Sequence, residues 1–144
     1  MAVECTSDGE FAVSVSAAGH SLTVDEPTGL GGTNTGPSPF ALLMASVGAC
    51  SAITVVDAAR ERGLKVDRVR VSVKLKQNKI SNSPGDPELL ITELRRSIEI
   101  EGDLSPEDRE WLFERGDACP VSRSIAAGIA TPTAATEGGY GVNS

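Results

Sequence analysis

The chain has 144 residues, 40% of them apolar and 23% charged, so a single domain with a real core is expected rather than a disordered chain. Twenty acidic residues against 13 basic ones give a formal net charge of -7 with no compensating Lys/Arg run, which argues against nucleic acid as a partner. Three cysteines are too few for a secreted disulfide scaffold, and the start MAVECTSDGE lacks the basic and apolar regions of a signal peptide, so the expected location is the cytoplasm.

Residues 2–6 read as an edge strand. Residues 11–17 alternate, with Phe11, Val13, Val15 and Ala17 on one face and Ala12, Ser14 and Ser16 on the other, the pattern of a half-buried strand. Ala18-Gly19 supplies a turn, and His20 to Val24 returns as the second arm of a hairpin. Residues 27–37 form a Gly/Pro/Asn loop. Its GLGGTNTG segment could cradle an anion but lacks the Lys-Ser/Thr ending of a phosphate loop, so a plain loop is the reading.

Ser38-Pro39 opens a helix, with Ser as N-cap and Pro at the first helical position. It should run to about Arg62, where Gly63 can end it. From Phe40 to Val56 it is apolar nearly all round, so protein should surround it, and one chain of this length can hardly do so alone. No charge occurs between Glu26 and Asp57, but the first part of that stretch is Gly/Pro-rich and the rest is weakly apolar with Ser, Thr, Gly and Ala. A helix buried in a core or dimer is therefore expected, with no membrane partner.

Residues 66–76 alternate again, Val69, Val71, Val73 and Leu75 inward and Arg68, Arg70, Ser72, Lys74 and Lys76 outward. A polar loop with Asn82-Ser83-Pro84-Gly85-Asp86-Pro87 as its turn leads to a strand over 89–101, where Leu94, Ile98 and Ile100 oppose Glu93, Arg95, Ser97, Glu99 and Glu101. Minor cross-strand ion pairs are expected. Ser105-Pro106-Glu107-Asp108 starts a second helix, to about Gly116, and Cys119-Pro120 a third, to about Ala127. Residues 128–135 read as a final strand, and 136–144 as a mobile tail. The order of elements, in one domain over 1–144, is α+β.

Three cysteines and one histidine are the candidates for chemistry. Cys50 sits about three turns into its helix, where the helix dipole does little and a small buried hydrophobe is the commoner role. Cys119 stands at a helix start, where free backbone N–H groups and the positive dipole end favour a thiolate. Ser122 is near enough in sequence to hydrogen-bond it. The residues alone thus favour Cys119 as the activated thiol, and do not by themselves bring it to Cys50. Cys5 reads as incidental and His20 as a solvated turn residue. No CxxC spacing supports a metal site and no GxSxG elbow supports a hydrolase.

Two segments, GTNTGPSPFALLMASVGAC and ACPVSRSIAAGI, closely resemble the two cysteine motifs of the OsmC/Ohr family, and GHSLTVDEP also fits. The likeness spans roughly residues 10–130. It implies an OsmC-like fold: an antiparallel sheet wrapped around long central helices in an intertwined homodimer, with active sites at the subunit interface. It also implies a thiol peroxidase acting on organic hydroperoxides. Cys50 would be the peroxidatic thiol, Cys119 the resolving thiol, and a dithiol reductant would reset the disulfide, with no metal or bound cofactor involved. Phe40, Leu43, Met44 and Val47 would line a pocket for the alkyl group. The family's activating arginine and glutamate have no counterpart at the expected places: Phe40 and Ala41 stand where the acid should be, and no arginine precedes Arg60. Arg123 is the nearest substitute by sequence. The alternative is a non-enzymatic dimer of the same fold that binds a small apolar ligand or senses oxidants.

Overall fold

The computed structural model describes residues 2–81 and 87–132. Strands β1 (Val3–Ser7), β2 (Val13–Ala17) and β3 (His20–Val24) form an antiparallel sheet in chain order. Ala18 (φ 50°) and Gly19 (φ 85°) both turn left-handed, which matches the right-handed twist of the strands they join. Val15 and Val24 are the buried residues of this sheet.

Beyond β3 the chain folds onto one carboxylate. Asp25 is 1% exposed. Its Oδ2 accepts the backbone N–H and hydroxyl of Thr33 (3.0 and 2.7 Å) and those of Thr35 (3.1 and 3.0 Å), and Oδ1 accepts the Glu26 N–H at 2.8 Å. The Thr33 hydroxyl and these other bonds hold the carboxyl far below the usual carboxylate range, against the opposing effect of burial. The Gly/Asn loop therefore does surround an anion, one supplied by its own chain. Gly36 is required for this closure, because a Cβ there would lie 2.1 Å from the Thr23 carbonyl oxygen. The Asp25 N–H bonds the Pro37 carbonyl at 3.1 Å, which ties the loop to the start of the next helix.

That helix, α1 (Pro39–Glu61), begins with Ser38 Oγ accepting the Ala41 N–H. It ends where Leu64 N–H reaches back to Ala59 and Gly63 adopts φ 65°. One side of α1 meets the long hairpin β4 (Arg68–Ser81) and β5 (Pro87–Glu101), and α2 (Pro106–Asp117). Val55, Ala58 and Ala59 of α1 join Ile100 and Leu112 in the core. Gly48 lets α1 sit close on β4, since a Cβ there would be 3.3 Å from Val73. The other side is open: Ile53 is 69% exposed, and Ala45 and Ala49 are exposed too. By length and composition α1 could cross a membrane, yet the face it shares with α2 and the hairpin is committed to protein.

β4 and β5 pair antiparallel from Arg68↔Glu101 through Val71↔Ile98 and beyond, with an irregularity at Lys76/Gln77. Both strands run further than the alternation suggested. Residues 77–81, expected as loop, continue the ladder, because backbone pairing with β5 overrides their polar side chains. The expected turn at 82–86 lies outside the described residues. A cross-strand ion pair, Arg68–Glu101, spans 3.7 Å between exposed groups and contributes little.

α2 is capped by Ser105, whose Oγ accepts the Asp108 N–H. Arg62 stacks over its Trp111 ring at 3.4 Å. A short joint leads to α3 (Pro120–Ala127), ended by Gly128 at φ 84°. The strand expected over 128–135 does not form in residues 128–132, where Gly128 turns the chain and Pro132 offers no N–H to a ladder. Residues 133–135 and the expected tail lie outside the described residues.

Candidate functional site

Two helix ends and two buried side chains converge on one sulfur. Cys119 lies in the joint between α2 and α3 as the N-cap of α3, and is 0% exposed. Ser51, on α1, is equally buried, because Val47, Ser51 and Val55 follow one another on a single stripe at four-residue spacing. The Ser51 hydroxyl donates to Cys119 Sγ at 3.4 Å. Ser122, one turn into α3, stands 3.1 Å from the same sulfur. Cys50 immediately precedes Ser51 on α1 and is half-buried. Both cysteines are free thiols.

Arg96 completes the cluster from β5. Its Nη1 donates to Ser51 Oγ at 2.7 Å and lies 3.7 Å from Cys119 Sγ. Its Nη2 donates to the Asp117 carboxylate at 2.8 Å and the Asp117 carbonyl at 2.9 Å. The Gly116 carbonyl accepts from Nη1 at 3.4 Å. A guanidinium has donors only, so Ser51 must accept from Arg96, and its single proton is left for the sulfur. The direction of the chain Arg96 to Ser51 to Cys119 is thereby fixed.

Burial by itself pushes the Cys119 thiol up. Hydrogen bonding with the Ser122 hydroxyl, to which the neutral thiol donates, and with the Ser51 hydroxyl, the Ser122 backbone and Cys50 outweighs it and brings the thiol down to about 7. The Ser122 N–H does not complete a well-formed capping bond, yet it lies near enough to favour the anion. Arg96, on distance and charge alone, adds to the same preference.

A cavity of about 520 Å³ adjoins the cluster. Leu43, Val47, Leu94 and Ile125 give it apolar walls, and Glu93 also lines it. Arg96 and Ser122, two of the partners of Cys119, line it as well. Phe40 and Met44, expected in such a pocket, are not among its lining; Phe40 is 41% exposed. Arg123 is exposed and borders a shallow depression with Pro120 and Ser124. It lies on the outer side of α3, so the guanidinium at the thiols is Arg96 and not Arg123. Cys5 and His20 are exposed on the N-terminal sheet. Among the described residues no three His, Cys, Asp or Glu side chains group as metal ligands.

Arg96 and Ser51 went unnoticed in the sequence, although each carried a signal. The alternation of β5 puts Arg96 on the face of Leu94, Ile98 and Ile100, a cation in an inward register. Ser51 is the polar member of an apolar stripe. Gly116 matters for the same site: a Cβ there would lie 2.6 Å from Val55 Cγ2 and 3.2 Å from Ile98. Both neighbours are packed, so Gly116→Ala should cost about 1–3 kcal/mol in urea unfolding. It should also lift the Gly116 carbonyl away from Arg96. An unchanged unfolding midpoint would show that α2 is not pressed on α1 at this point.

The family model for OsmC-like proteins matches residues 32–133. Among solved structures, an OsmC-like protein from Mycoplasma pneumoniae superposes with TM-score 0.71 at 18% identity, covering 89% of this chain and 87% of that one. An organic hydroperoxide resistance protein OsmC from Legionella pneumophila gives 0.63 at 20% identity, covering 86% and 87%. An organic hydroperoxide resistance protein from Elizabethkingia anophelis gives 0.60 at 24% identity, covering 88% and 86%. Among curated proteins no match is found.

Proposed function

The chain belongs to the OsmC-like protein family, and from that premise we propose that it is a thiol peroxidase that reduces organic hydroperoxides through a Cys50–Cys119 disulfide cycle. The observation that carries this reading is a free thiol, Cys119, brought down to about 7, with a guanidinium beside it, an apolar cavity adjoining the cluster, and a second free thiol, Cys50, next in sequence to its hydrogen-bond partner Ser51. A thiolate is the nucleophile toward peroxide oxygen, and a second thiol within reach turns the sulfenic acid into a disulfide. The cavity's apolar walls suit an alkyl or aryl hydroperoxide better than hydrogen peroxide. No bound cofactor is needed, and a dithiol reductant would reopen the disulfide.

Stopped-flow oxidation of the reduced protein by cumene hydroperoxide tests this. The expected rate exceeds that of free cysteine by at least about 100-fold at pH 7. It should be half-maximal near pH 7 and fall about tenfold per pH unit below that, as the thiolate is protonated. A rate equal to that of free cysteine would leave only the fold. The non-enzymatic reading drew its force from the missing arginine near the N-terminus and the missing glutamate after the helix-opening proline. Arg96 supplies a guanidinium from another strand, so the peroxidase reading is preferred.

The same reading includes a homodimer in the cytoplasm. The open face of α1, with Ile53 69% exposed, is the surface a second copy would cover. Ile53→Glu should convert the dimer to monomer in sedimentation velocity; a wild-type protein that sediments as a monomer would remove this part of the proposal.

A further inference from the structure

Resting on that peroxidase reading, we infer that Asp117 is a positioning residue of the thiol site: it locks the Arg96 fork in the orientation that serves Ser51 and Cys119. The two terminal nitrogens of Arg96 have different tasks. Nη1 reaches inward, to Ser51 Oγ at 2.7 Å and to within 3.7 Å of Cys119 Sγ. Nη2 reaches outward and is held twice by one residue, by the Asp117 carboxylate at 2.8 Å and by the Asp117 carbonyl at 2.9 Å. A guanidinium is planar and rigid, so fixing Nη2 fixes Nη1 as well. Among the described residues Asp117 is the one carboxylate within ion-pair distance of Arg96. Glu93, on the same strand, is engaged by the fork of Arg95 instead.

The place of Asp117 argues for this task. It is the last residue of α2, at the negative end of the helix dipole, where a carboxylate is disfavoured. Its side chain is 64% exposed, so the ion pair does little for stability, whereas that of Arg96 is only 14% exposed. A guanidinium drawn out of water returns to it unless an anion retains it. Arg96 also donates to the Gly116 and Asp117 carbonyls and so closes the C-terminal end of α2. That closure needs only the backbone. What the Asp117 carboxylate adds is the direction of the fork, and through Arg96 and Ser51 that direction decides where the Ser51 proton points. The charged and titratable groups set around Cys119 Sγ are Cys50 from α1, Arg96 from β5 and, behind Arg96, Asp117 from α2.

Thiolate absorbance at 240 nm, titrated without peroxide in a Cys5→Ser background, tests the assignment. Cys119→Ser identifies the step near pH 7 that belongs to Cys119. Removing a negative charge near a thiol would by itself favour the thiolate and lower that step. Asp117→Ala should instead raise it by about one pH unit, because the fork loses its hold. Asp117→Asn keeps an acceptor oxygen for Nη2 and turns its amide NH₂ to solvent, so its step should stay within about 0.3 pH unit of the parent. With cumene hydroperoxide, Asp117→Ala should react about fivefold more slowly than the parent at pH 7 and match it by about pH 9. A step that stays or falls in Asp117→Ala, an equal rise in Asp117→Asn, or a step that survives Cys119→Ser overturns the assignment. If the steps move as described but the parent reacts with the peroxide no faster than free cysteine, the role of Asp117 stands and the peroxidase reading alone falls.

Discussion

Replacing Arg96 with Met is expected to slow oxidation by cumene hydroperoxide about 100-fold at pH 7, with little change at the highest pH the protein tolerates. Among the described residues Arg96 is the one side chain that touches Ser51, Asp117 and the Cys119 sulfur together. Without it Ser51 is free to rotate its proton elsewhere, and the sulfur loses a neighbouring positive charge. Both changes favour the thiol over the thiolate, so the half-maximal pH should rise from near 7 to about 8–9. The remaining loss comes from the departing alkoxide, which no longer meets a guanidinium in the cavity.

The sign of the pH effect distinguishes this from simple damage. A variant whose site has merely loosened would be slow at every pH. A variant that has lost its anion-stabilising donors recovers as alkali removes the proton for it. Arg96→Lys should fall between the two, because an ammonium restores the charge but cannot reach Ser51 and Asp117 with a fork. An Arg96→Met protein with the wild-type half-maximal pH would refute the role assigned to this residue.

The architecture was legible because its signals are local. Ser38-Pro39 and Ser105-Pro106 announce helix starts through capping, and both caps are made as hydrogen bonds. Val69 to Leu75 alternate with charged or polar residues, and the sheet face follows that alternation. The N-cap position of Cys119 was likewise readable from Cys-Pro alone. The cluster around it was not, because Ser51, Arg96 and Cys119 come from three elements, and only tertiary packing decides which inward residues meet. The resemblance directed attention to an arginine early in the chain, whereas the guanidinium arrives on β5. Arg123, nearest in sequence, fails because one turn of a short helix is enough to carry a side chain to the far face.

Acid should act on the stability of this protein chiefly through Asp25. Its folded-state carboxyl lies far below the ordinary value of about 3.9, so the unfolded chain takes up a proton first as pH falls. The stability Asp25 confers is therefore complete above about pH 5, begins to drain as the pH drops through about 4, and continues to drain toward the folded-state value below the usual range. Asp25→Asn isolates this contribution. The amide would present an NH₂ either to the backbone N–H groups of Thr33 and Thr35 or to that of Glu26, donor against donor in each orientation. At pH 7 the variant should melt about 5–10 °C lower than the parent. The gap should be constant between pH 6 and 8 and narrow below about pH 4, because only the parent then loses stability through this group. The consequence reaches the thiols, since the Asp25 loop delivers the chain to Ser38 and sets the start of α1, which carries Val47, Cys50 and Ser51. A gap that stays constant to pH 2.5 would mean that the loop is held by its backbone alone and that the buried carboxylate is incidental to it.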